Sequence, residues 1–220
     1  MKGYIMDKKN MIRKPQAEFK IQSLPPRSVK YGGREVLRCY LSFVTSSGYA
    51  KLDPFFEKLS KSVEAFLTNK LEPYVCNICS RERYRRFRYK FISELENLTD
   101  NLRTVTMRAE LSDSYGGIVG YFAFTLVIDP ATGTLVPVSD LIKNYCTLDD
   151  GVSSNKRFMR KLSDPKTLIY IRSDSVYLLL LTEFKFADIG TTEQDNKRLS
   201  GSLPPNCICL GKVTKCYSQS

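Results

Sequence analysis

A chain of 220 residues with 42% hydrophobic side chains is long enough to enclose a substantial core and too apolar for global disorder. Its 34 Lys and Arg against 23 Asp and Glu give a net charge of +11, which attracts polyanions. There is no histidine, which removes Ser-His and Cys-His nucleophile pairs, His-ligated zinc hydrolases and the commonest general base near neutral pH.

No Gly-rich phosphate loop of either usual spacing occurs, so most nucleotide enzymes are excluded as well. Asp129 and the Asp149-Asp150 pair show no paired spacing on a predicted face, and turn chemistry accounts for them. The expectation is a protein that is not an enzyme and carries no cofactor.

Residues 1–30 sustain no apolar period and end in Leu24-Pro25-Pro26, which reads as a basic, poorly ordered arm. Residues 31–220 are expected to form one α+β domain, with a leading subdomain at about 35–75 and the main sheet at about 82–215. No apolar stretch follows the first charges, and the run Val176 to Leu181 is far shorter than the ~20 residues that span a bilayer. Seven cysteines, an odd number, then point to reduced thiols and a cytoplasmic location, with no membrane span.

Glu35 to Phe43 is rich in strand formers. Asp53-Pro54 supplies a cap and a first-turn proline. Phe56, Leu59, Val63, Phe66 and Leu67 recur at spacings of three and four, predicting an amphipathic helix over 54–70.

The stretch RERYRRFRYKF, residues 81–91, holds six basic and four aromatic side chains in eleven positions. Its period fits a helix or a strand. The turn-forming residues 97–101 and the strand-like run 102–107 favour a hairpin with Phe87, Tyr89 and Phe91 inward. Arg81, Arg83, Arg86, Arg88 and Lys90 are the candidate polyanion-binding residues, and the competing reading makes them an ordinary solvated face. With the aromatics inward, any nucleic-acid binding would be weak and indifferent to sequence, since stacking on single strands needs exposed rings.

Residues 118–128 are nearly all apolar, aromatic or β-branched and suit a central strand buried on both faces. Asp129 to Gly133 is a turn, 134–138 the returning strand, and Ser139 the cap of a short helix over 140–145. A further hairpin is expected at 167–184, turning at Ser173-Asp174-Ser175.

Cys76 and Cys79 with Cys207 and Cys209 could offer four thiolates to zinc, but the second half-site is Cys-x-Cys and lacks the Cys-x-x-Cys spacing of the first. Unliganded thiols are the expectation. Redox use of Cys76 and Cys79 is disfavoured because no βαβ context is evident around them.

Tyr115-Gly-Gly117, Asp129-Pro-Ala-Thr-Gly133 and Ser139-Asp-Leu-Ile142 resemble the recurrent pattern of a bacterial domain found in the extracytoplasmic part of RsiV-type anti-sigma factors and beside some peptidoglycan deacetylase domains. The resemblance spans roughly residues 35–190. It implies an antiparallel α+β sheet packed on one main helix with short helices, and a sensing or binding module with no catalytic residues to carry over. Some members bind lysozyme, but a domain at +11 would repel that cationic partner, so another ligand is expected.

The functional expectation is therefore a binding domain of unknown specificity, with an unidentified protein or a polyanion as partner. Two alternatives stand beside it: a basic nucleic-acid-binding accessory protein, and a structural protein of a spore or surface layer using its 13 tyrosines and 7 cysteines for cross-links.

Overall fold

The computed structural model describes residues 18–164, 166–180 and 207–214. Strand β1, Glu18–Ser23, and strand β2, Arg27–Tyr31, lie antiparallel along successive halves of one edge of β3, Arg34–Ser47. The expectation of a poorly ordered arm is corrected from residue 18 onward, while residues 1–17 lie outside the described residues. Phe19 is the one buried residue in β1, so this edge is held by a backbone ladder that leaves little apolar period to read.

From β3 the chain enters α1, Leu52–Phe66, passes through a π-helical turn at Leu67–Leu71, and continues as α2, Glu72–Arg81. The predicted helix over 54–70 is therefore longer at both ends. Asp53 does not cap it but sits inside the first turn, accepting hydrogen bonds from the Ser46 hydroxyl and the Tyr49 amide.

Pro73 has no amide to return to residue 69. Widening the preceding turn, with the Glu72 amide donating to the Leu67 carbonyl, lets the helix pass the proline instead of ending there. Leu52, Phe56, Val63, Leu67, Leu71, Val75 and Ile78 form its buried stripe.

This long crossover brings β4, Phe87–Asn97, parallel to β3, pairing Leu37 with Phe87, Cys39 with Tyr89 and Leu41 with Phe91. The other pairings are antiparallel. β4 turns into β5, Arg103–Asp113, which turns into β6, Ile118–Asp129, and β6 pairs briefly with β7, Thr134–Leu135.

Helix α3, Val138–Tyr145, strand β8, Cys146–Leu148, and helices α4, Asp150–Ser153, and α5, Lys156–Leu162, follow. β9, Ile169–Arg172, β10, Ser175–Leu179, and β11, Cys207–Val213, complete a sheet ordered β1-β3-β4-β5-β6-β9-β10-β11-β8. The α+β class is as expected.

Two large clusters divide the interior. One lies between the crossover helix and β3, β4 and β5, and the other lies under α3, α4 and α5, around Leu141, Ile169, Val176 and Leu210. β6 serves both, giving Val119 and Ile128 to the first and Val127 to the second, which accounts for its nearly continuous apolar sequence.

The turn at Asp129 closes through the Gly133 amide to the Asp129 carbonyl at 2.9 Å, with Gly133 at φ 65°. α3 begins at Val138 behind Pro137. The Ser139 hydroxyl donates to Asp140 and does not cap the helix as expected. The β9–β10 hairpin turns at Ser173, with φ 56°; the expected continuation past residue 180 lies outside the described residues. Among the described residues no helix is long and apolar enough to cross a membrane.

Candidate functional site

Phe87, Tyr89 and Phe91 point into the first core beneath the crossover helix, where Phe91 lies 5.2 Å from Phe43 and Tyr89 6.2 Å from Phe66 between ring centroids. Alternation puts Arg86 and Arg88 on the exposed side, with Lys90 half-buried among them. The parallel register then sets Arg38 of β3 directly beside Arg88, and Tyr40 beside Lys90. On the other flank, Arg88 faces Ser112 and Lys90 faces Glu110.

Arg38, Arg81, Arg83, Arg86, Arg88 and Lys90 form no ion pair among the described residues. Two like charges side by side on neighbouring strands repel, so this row opposes the sheet that carries it.

The expectation that the whole strip 81–91 is a strand is corrected: β4 begins only at Phe87. Arg81 is the last residue of α2, and 82–86 is a turn. The reason is Arg85, whose side chain is only 11% exposed. Its Nε and Nη2 donate to Asp113 Oδ2 at 3.1 and 2.6 Å, and its Nη1 donates to Glu82 Oε2 at 2.9 Å. Partial burial works against this guanidinium's charge, but the Asp113 and Glu82 carboxylates outweigh it and raise its pKa.

Asp113 Oδ1 in turn accepts from the Tyr115 and Gly117 amides at 3.1 and 3.0 Å, and Gly116 takes φ 83°. Tyr-Gly-Gly is thus a tight turn, tied through one carboxylate to the end of the basic strip. Tyr84, within the strip, is 82% exposed, which corrects the expectation that its aromatics all turn inward.

The four thiols proposed for zinc lie far apart. Cys76 and Cys79 ride on α2 against β3, while Cys207 and Cys209 are on β11, six strand steps away, or roughly 29 Å along the sheet. Burial raises the Cys76, Cys79 and Cys207 thiols, and among the described residues no group of three or more potential ligands is close enough to hold a metal.

A strand–helix–strand context does surround Cys76 and Cys79, contrary to expectation. They sit in the later turns of the helix, though, where neither its N-terminus nor burial favours the thiolate.

An apolar cleft of about 450 Å³ opens between β6 and the segment before β9, lined in part by Phe55, Phe124, Leu126, Leu162 and Leu168. Among the described residues that line it, Asp164 is the one ionisable side chain.

Residues absent from the sequence-based set are Arg38, Tyr84 and Tyr115. Arg38 arrives by the parallel β3–β4 pairing and Tyr115 at the far end of the β4–β5 hairpin, neither of which leaves a local signal, while Tyr84 lies in the strip but turns outward with the 82–86 turn.

No protein-family model and no curated protein matches the chain. Among solved structures it is similar to a DUF3298-family protein of Bacteroides fragilis, with a TM-score of 0.42, 8% identity, and coverage of 91% of this chain and 92% of that one. It is also similar to a DUF3298-family protein of Pseudomonas aeruginosa, with a TM-score of 0.35, 11% identity, and coverage of 66% and 62%.

Proposed function

We propose that this chain is a non-enzymatic binding domain whose basic β3–β4 face holds an extended anionic ligand. The observation that carries this reading is Arg38 set beside Arg88 in the parallel register, with no ion-pair partner for either among the described residues. Repulsion that a fold retains without an internal counter-charge is relieved when an anion arrives. The resemblance of Tyr115-Gly-Gly117 and Asp129-Pro-Ala-Thr-Gly133 to the RsiV-type domain agrees with a sensing or binding role. The six described cysteines are free, which suits a reducing cytoplasm.

Retention on a heparin column tests the reading. R38Q/R88Q/K90Q should elute at clearly lower salt than the parent chain, whereas K58Q/K61Q/K70Q, which removes equal charge from the crossover helix, should elute close to it. Equal shifts for both variants would show that net charge alone governs retention, and the face would lose its role.

A further inference from the structure

The turn 82–86 and the turn 113–117 are locked together. The Ser114 amide donates to the Arg86 carbonyl at 2.8 Å, and the Arg86 amide to Ser114 Oγ at 3.3 Å. Arg85 bridges Glu82 and Asp113, and its guanidinium carbon lies 5.8 Å from the centroid of the Tyr115 ring. From this fixed frame project the rings of Tyr84 and Tyr115, 82% and 72% exposed, the two most exposed large hydrophobic side chains described.

Around them stand the exposed Arg81, Arg83 and Arg86. From Arg86 the charges continue along one side of the chain through Arg88 and Lys90 at intervals of ~7 Å, two residues of strand each. That interval is close to the separation of consecutive phosphates in an extended single strand.

We propose that this end of the sheet binds single-stranded nucleic acid. Arg86, Arg88 and Lys90 meet successive phosphates, with Arg38 flanking the one at Arg88, and unpaired bases stack on Tyr84 and Tyr115. The proposal rests on the basic face being the ligand face and adds the chemical class of the ligand. An acidic polypeptide would satisfy the same cations but give the two rings nothing planar to stack on. A duplex would satisfy them too, but keeps the faces of its bases covered. Every base has a stacking face and every nucleotide a phosphate, so binding through these two contacts is indifferent to sequence.

The test is fluorescence anisotropy of labelled oligothymidylate with the full chain, competed by unlabelled duplex of the same length and by polyglutamate. Y84A/Y115A should weaken oligothymidylate binding by about 10- to 100-fold while leaving the dependence on salt and the retention on heparin unchanged. Y84F/Y115F should bind like the parent. R86Q/R88Q/K90Q should flatten the slope of log affinity against log salt by about 2, at ~0.7 for each phosphate no longer neutralised.

Unchanged affinity in Y84A/Y115A, or competition by polyglutamate as strong as by oligothymidylate itself, overturns the single-strand proposal and leaves the anionic-ligand face standing. If R38Q/R88Q/K90Q also fails to shift heparin elution, the basic-face reading fails with it. Both tyrosines are exposed, so equal melting temperatures of parent and variants confirm that the fold is not what changed.

Discussion

β4 carries two different surfaces on one backbone. Towards the crossover helix, Phe87, Tyr89 and Phe91 are buried in the larger core; on the opposite side, Arg88 is exposed and Lys90 half-buried, continuing from the exposed Arg86 of the preceding turn, and none of the three has an ion-pair partner among the described residues. The first surface holds the sheet and helix together. The second contributes nothing to that and, through the Arg38–Arg88 adjacency, opposes it slightly. Stability and the proposed binding are therefore carried by different side chains of one strand, which alternate between its two faces.

The largest effect is expected on the inner side. Tyr89→Ala removes a fully buried ring packed on Phe66 and should destabilise the fold by about 3–5 kcal/mol, read from the denaturant midpoint. Asp113→Ala comes next. It leaves the Arg85 guanidinium without its main partner and unties the 113–117 turn, at a cost of roughly 2–3 kcal/mol, less than the ~3–5 of a fully enclosed pair because Arg85 retains some solvent contact.

Gly133→Ala should cost roughly 1–3 kcal/mol, because the residue has φ 65° and a new Cβ would lie 2.4 Å from the Tyr49 ring. That ring cannot easily move, since it stacks on Phe19 at 4.7 Å and donates its hydroxyl to the Pro130 carbonyl.

Alkaline pH provides a graded version of the same contrast. Burial pushes the Cys39 thiol from 9.0 up to about 11, and the Cys146 thiol likewise to about 11. In the unfolded chain these protons leave near pH 9, while the fold retains them. Their contribution is whole below pH 9 and is lost as pH rises through about 11. Tyr121, pushed by burial from 10.0 up to about 12, extends the loss further. Unfolding midpoints measured from pH 8 to 11 should fall steadily above pH 9, and a flat profile would contradict the burial of these groups.

The inner side of β4 was legible in the sequence because alternation of Phe87, Tyr89 and Phe91 is a local signal, and so were the hairpin to β5 and the turn at Asp129 to Gly133, each carried by neighbouring residues. The parallel pairing of β3 with β4 was not, because it depends on a helix that passes Pro73 through a π-turn where sequence rules end it. Arg85 illustrates the same limit. It is one of six cations in a row, and its inward turn depends on Asp113, 28 residues away. The edge strands β1 and β2 were missed because exposed strands bury too few side chains to show a period.

The most direct test measures both properties on one preparation of R38Q/R88Q. Its denaturation midpoint should equal that of the parent chain to within ~0.5 kcal/mol, or rise slightly as the like-charge repulsion is relieved, while its affinity for an anionic polymer falls. A variant that binds the polymer as tightly as the parent, or that loses several kcal/mol of stability, would contradict the division between the two sides of the sheet.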